Sequence, residues 1–256
     1  MPDSGASTHR DVFVNCPFDS DYKQQFNALI FTIYDCGFYP RCALEAVDSG
    51  QLRFQKICQL ILESPYGIHD LSRIELDPST QLPRFNMALE LGLFLGANLL
   101  SDSKKPCLVM DTERYRYQRF CSDLSGFDPS AHGGDILQLI CVVRDWLRAN
   151  LEPNEKIPGG EHIFERYKLF LRHLREFCEE EHLNPDSISY YDYISSLQGW
   201  LEGKVCARKK PHRFGLPVEA ERRLFLKLPV LNNTASDFLT VAIGPTLRNE
   251  TLSPIN

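Results

Sequence analysis

Four short apolar runs, each followed by a polar loop or a segment of helical periodicity, constrain this chain more than any other feature. The runs are Asp11–Cys16, Phe38–Leu44, Tyr66–Ser72 and Lys105–Asp111. Between and after them, apolar residues recur at helical spacing. Phe26, Leu29, Ile30, Ile33 and Tyr34 mark 21–36, and Ile57, Leu60 and Ile61 mark 53–63. Residues 84–97 and 136–147 complete the series, and Gly37 is a stop signal for the first helix. Strand alternating with helix predicts βαβ units and a parallel sheet covered on both faces, an α/β doubly wound fold. Residues 114–123 read as mixed helix and loop, and 126–135 as a glycine-containing loop. The stretch 152–161, with Pro153, Pro158, Gly159 and Gly160, is the expected boundary. It separates an α/β domain over 11–150 from a mainly helical extension over 162–256. The extension is expected to hold helices at 163–181 and 190–201, a weak strand at 224–231 and a polar tail.

Composition narrows the function classes. A net charge of −6 gives no support to general nucleic-acid binding, which normally shows as a basic excess. The nine cysteines form no CxxC pair and no zinc pattern, so a reducing, cytoplasmic setting is expected. The N-terminus has no apolar signal-peptide core, and no run approaches the ~20 apolar residues of a membrane span. A membrane partner is therefore not expected. No P-loop, GxGxxG or GxSxG occurs, which argues against kinase, dehydrogenase and hydrolase-elbow chemistry.

One carboxylate stands out. In Arg84-Phe-Asn-Met-Ala-Leu-Glu-Leu-Gly-Leu-Phe-Leu-Gly-Ala97, Glu90 is the sole ionisable side chain between Arg84 and Asp102. Apolar residues lie on all sides of this helix, so it is expected to be largely buried. A carboxylate carried there loses water at a cost of several kcal/mol unless compensated. Asn86 shares its face one turn earlier, and Gly92 and Gly96 bare the backbone of the next turns. The alternative is a core glutamate paired with an arginine.

Ligands of open parallel sheets bind at the carboxyl ends of the strands. Polar clusters fall there: Asn15, Phe18 and Asp19 after the first strand, Arg41, Glu45 and Asp48 after the second. His69, Asp70, Ser72 and Arg73 follow the third, and Asn86 and Glu90 open the next helix. Their convergence predicts a small-molecule site. Each has a plainer alternative: a paired surface arginine for Arg41 and Arg73, a core ring for Phe18, a loop cap for Asp70. His132 in its glycine-rich loop reads as structural or merely exposed. Tyr115, Arg116, Tyr117 and Arg119 read as a solvated face or a protein contact.

The run Ile-His-Asp-Leu-Ser72 followed by Asn86-x-x-x-Glu90-Leu-Gly92 resembles the TIR-like and nucleoside 2-deoxyribosyltransferase-like superfamily. Bacterial stand-alone TIR-like proteins, many of them antiviral, are the nearest likeness, which covers about residues 11–147. The resemblance implies a flavodoxin-like fold and an N-glycosidase that cleaves the base–ribose bond of NAD, NADP or a related nucleotide. NAD is then substrate, and no cofactor or metal is implied. Glu90 matches the family's glutamate and Asp70 roughly matches an aspartate that holds base or sugar. Asn15, Phe18, Asp19, Arg41, Asp48, Ser72, Arg73 and Asn86 become the expected substrate contacts. A homo-oligomer, a regulatory protein or a nucleotide signal are the implied partners. The family's tryptophan near the glutamate and its serine-containing first loop are absent. A deoxyribosyltransferase-like nucleosidase and a non-catalytic sensing or oligomerising module therefore stay open beside the NAD glycohydrolase.

Overall fold

The computed structural model describes residues 10–45, 50, 52–74, 85–101, 104–119 and 126–206. Five parallel strands form one sheet in the order β2-β1-β3-β4-β5. They are β1 (Asp11–Asn15), β2 (Tyr39–Arg41), β3 (Tyr66–Asp70), β4 (Cys107–Asp111) and β5 (Ser130–Ala131). Helices α1 (Lys23–Asp35), α2 (Arg53–Glu63), α3 (Asn86–Leu100) and α4 (Ile136–Ala149) connect or follow them, and α5 (Gly160–Glu180) and α6 (Tyr190–Cys206) come last. The expected flavodoxin-like doubly wound fold is present, and the described part of the extension is helical.

Strand periodicity sorts the core into two layers. Val12 and Val14 of β1 and Ile68 of β3 point into the cluster built on α1 and α4. Phe13, one residue out of phase, points to the other side, among Ile57, Leu60 and Ile61 of α2 and Phe94 of α3. The α3 helix comes down on β3 because residue 67 is a glycine. A Cβ there would stand 2.6 Å from the Phe94 ring. Lys105, just before β4, caps the end of α2: its Nζ donates to the carbonyls of Ile61, Leu62 and Ser64 at 2.8–2.9 Å. Three charge-assisted bonds at a helix C-terminus offset the burial of the ammonium.

Sequence and structure part company at four places. The fifth strand lies inside the expected loop 126–135; two residues carry no alternation to read. β2 shrinks to Tyr39–Arg41, because the chain turns into a 3-10 segment at Ala43–Glu45. The α3 helix is not buried on all sides: Phe85, just before it, and Leu89, Leu99 and Leu100 stand exposed. Finally, the helices on either side of 152–161 share one hydrophobic cluster. Phe31 of α1 packs on Tyr167, Phe170 and Trp200 at ring separations of 5.3–5.7 Å. Arg166 of α5 holds Asp35 of α1 through both carboxylate oxygens. The compact unit containing the sheet spans Met1–Lys210. The expected strand at 224–231 and the tail lie outside the described residues.

The Gly67–Phe94 contact yields a direct test. Gly67→Ala forces the ring and α3 away from the sheet and is expected to cost about 1–3 kcal/mol of stability, read from urea unfolding midpoints.

Candidate functional site

The strand order reverses between β1 and β3, so their carboxyl ends frame the crevice in which such sheets bind ligands. Two fully buried side chains from adjacent positions of β3 lie at these ends and turn to opposite faces of the sheet. Asp70 falls in phase with Ile68 and turns to the α1/α4 side. Its Oδ2 accepts a short hydrogen bond from the Tyr22 hydroxyl and lies 3.0 Å from His132 Nε2. Its Oδ1 accepts the Ser72 N–H at 2.8 Å, closing an Asx turn. His132 Nδ1 accepts the Gly134 N–H at 3.1 Å, which leaves Nε2 as the proton-bearing nitrogen toward Asp70. Burial alone would raise the Asp70 pKa, but His132, Tyr22 and the Ser72 N–H outweigh it and hold the carboxylate below its usual range. Burial, and then the Asp70 charge, push the Tyr22 phenol well up.

His69 turns the other way, in phase with Gly67. Its ring packs against Phe94 and Phe13, with centroids 5.0 and 5.8 Å apart. Asn15 Nδ2 lies 3.0 Å from His69 Nδ1 and donates to the Met87 carbonyl at 2.8 Å. Asn15 thereby ties the ends of β1 and β3 to the first turn of α3. His69 is fully buried, and its Nε2 has no hydrogen-bond partner among the described residues. Burial pulls its pKa down to about 3, so the ring is neutral.

Glu90 lies one turn before Phe94 on α3. It is 8% exposed, with no hydrogen bond or ion pair among the described residues. Burial raises its pKa to about 7, and the Arg53 charge at the start of α2 opposes that rise. Burial, and then Asp70, Cys42, Glu90 and Asp19, raise the Cys16 thiol. Both carboxylates are therefore felt at the end of β1, although they belong to opposite layers.

This geometry corrects several expectations. Asp70, expected to hold base or sugar, has its oxygens turned to Tyr22, His132 and the Ser72 amide, as in its loop-cap alternative. Asn15 spends its amide hydrogens inside the protein. Arg41 is held by Glu45 at 2.8 Å and Asp11 at 2.9 Å, with Glu63 at 3.7 Å, so it is a paired arginine. Arg73 pairs with Asp19 at 3.3 Å and Asp21 at 3.1 Å, and Asp19 also caps the turn at Tyr22. Ser72 is buried, with its Oγ unpartnered among the described residues. Asn86 is exposed at the first position of α3, and Asp48 lies outside the described residues. Phe18 is half-exposed, edge-on to Phe26. With Asp19 it lines a cavity of about 170 Å³ between the first loop, α1 and the start of α6, which Glu90 does not line.

Sequence reasoning passed over Tyr22; His132 is buried, as the structural reading has it, whereas Arg116 is not on a solvated face. Arg116 grips Asp111 and donates to the Leu71 and Ser72 carbonyls, fastening the loop after β3 to the end of β4. The Tyr115–Arg119 segment thus contains an anchor in Arg116 and a second in buried Tyr117, whose hydroxyl donates to the Phe127 carbonyl at 2.8 Å. His132 had a signal in its flanking glycines, since Gly133 and Gly134 both take positive φ to fold the ring back.

Among the described residues no cluster of side chains fits a metal ion, and no helix is long and apolar enough to cross a membrane. Comparison with protein-family models finds no match, and comparison with curated proteins finds no relative.

The Glu90 carboxyl sets a pH dependence. Its folded pKa, about 7, lies above the ordinary 4.5, so the folded state holds the proton more tightly. Stability from this group is complete below about 4.5 and falls as pH rises toward 7. Glu90→Gln is therefore expected to unfold like the wild type near pH 4.5 and to be up to ~3 kcal/mol more stable at pH 8. Urea denaturation at the two pH values checks this; His69 titrates in both proteins and cancels.

Proposed function

We propose that this protein is an N-glycosidase acting on NAD or a related nucleotide, with Glu90 as the group that meets the reacting ribose. The observation that carries this reading is a buried carboxyl with no hydrogen bond or ion pair among the described residues, on the helix that follows β3. Breaking the bond between C1′ and the base nitrogen leaves positive charge on C1′ and the ring oxygen. A carboxylate in a poorly solvated place stabilises that charge strongly. Water then adds at C1′, its oxygen forming the new bond and its proton leaving to solvent. A cationic nicotinamide departs neutral and needs no proton. The approach of that cation favours the ionised form of Glu90.

The raised pKa also favours a second reading. A neutral purine nucleoside needs its base protonated on departure, and a carboxyl titrating near 7 can donate that proton. The deoxyribosyltransferase-like nucleosidase is thus supported by the same residue. Asn15 and His69 act as positioning groups in both, since they fix the first turn of α3. A place in antiviral defence or nucleotide signalling rests on the resemblance alone.

Incubation of the full chain with NAD and a nucleoside panel, followed by chromatography, tests the proposal. Release of nicotinamide, or of a purine, by the wild type and a fall of at least 10³-fold in Glu90→Gln is the expected result. Equal turnover by both proteins would remove Glu90 from the chemistry. Absence of turnover and of ligand binding in both would leave the non-catalytic module.

A further inference from the structure

The exposed face of α3 is unlike the outer face of any ordinary surface helix. At 3.6 residues per turn, Met87, Leu91 and Phe94 face the sheet. Phe85, Leu89, Gly92, Gly96, Leu99 and Leu100 fall on the opposite side. Phe85 is 67% exposed, Leu89 54%, Leu99 85% and Leu100 92%. No lysine or arginine lies in Asn86–Leu100, and its one acid, Glu90, is turned inward.

The glycines make the face harder to explain within one chain. A glycine inside a helix costs about 1 kcal/mol relative to alanine. A Cβ at Gly92 or Gly96 would meet nothing within 4 Å, and neither has positive φ. Packing among the described residues therefore gives no reason for either. Between Leu89 and Leu99 they leave a shallow groove where another backbone can come close.

The order of these residues also names what fits. Leu89, Gly92, Gly96 and Leu99 are symmetric about position 94, at offsets of five and two residues on either side. Two copies of this helix set antiparallel across a two-fold axis bring Gly92 of one onto Gly96 of the other. The same axis brings Leu89 onto Leu99. This is the self-complementary arrangement an isologous interface requires. Four large apolar side chains, each more than half exposed, make a face on the order of 500 Å², within the ~300–600 Å² of the largest patches on a monomer, which are often functional. That is most of the ~800 Å² each partner gives a standard interface, and α2, packed beside α3, adds exposed Phe54 and Leu62. A lipid surface fits poorly, since interfacial helices flank their apolar face with cations.

We propose that the outer face of α3 pairs with the same face of a second copy, antiparallel about position 94. The proposal stands apart from the glycosidase reading.

Sedimentation equilibrium of the full chain from about 1 to 200 µM tests it. The wild type is expected to dimerise, and Leu89→Asp and Leu99→Lys, each at an exposed position, to be monomeric. The double variant Leu89→Asp/Leu99→Lys is expected to dimerise again, because the pairing sets each new acid against the partner's new base. Gly92→Ala/Gly96→Ala should raise the thermal midpoint of the monomer while weakening association at least tenfold, opposite effects that a monomer-only role would not give. A monomeric wild type, dimers indifferent to these substitutions, or no rescue in the double variant would overturn the proposal. So would binding of the wild type to phosphatidylcholine vesicles in place of self-association.

Discussion

The Phe94 ring lying on the bare backbone of Gly67 is the contact on which the upper half of the molecule depends. It sets how close α3 comes to the sheet. That distance decides how much water reaches Glu90, and it gives His69 its aromatic wall. Asn15 fixes the same helix from its other end, at the Met87 carbonyl. Ring and amide together hold one turn of helix with a carboxyl pointing where little water follows.

The opposite layer obeys the same economy of strand phase. Asp70 is one residue from His69, yet the pleat sends it to the other side of the sheet. There it gathers Tyr22, the Ser72 amide and His132, binding the turn that precedes α1, the β3 loop and the β5 loop to one carboxylate. Hydrogen bonds from Tyr22 and the Ser72 amide, with His132 Nε2 at 3.0 Å, compensate the burial of this carboxylate and tie the three segments together. The network lies on the α1/α4 side of the sheet, whereas Glu90 belongs to the α3 layer.

How far the sequence could be read follows from the range of each signal. The strand–helix alternation, α2 and the carboxylate on α3 were all legible, because each shows in a dozen residues of periodicity or in one charge inside an apolar run. The β5 strand was not, because two residues carry no period. Hydrophobicity around the whole of α3 pointed to burial, whereas the structure buries one side only; a pattern shows which residues shun water and not what covers them. The ion pairs of Arg41 with Asp11 and Arg73 with Asp21 join residues far apart in sequence, as does Tyr22 with Asp70. Those pairings decide whether a side chain is a ligand group or a strut, and no local signal contains them. The opposition of Asp70 and His69 could have been read from strand phase alone.

The central claim is that Glu90 is a desolvated carboxyl held in reserve for a ligand. Its titration by carbon-detected NMR on glutamate-labelled protein, with Glu90→Gln to assign the resonance, addresses this most directly. The account predicts a midpoint near 7, moving down when a cationic nicotinamide nucleotide is added. A midpoint near the ordinary 4.5, unmoved by any nucleotide, would mean that water or a basic partner already satisfies the group, and the site described here would have no centre.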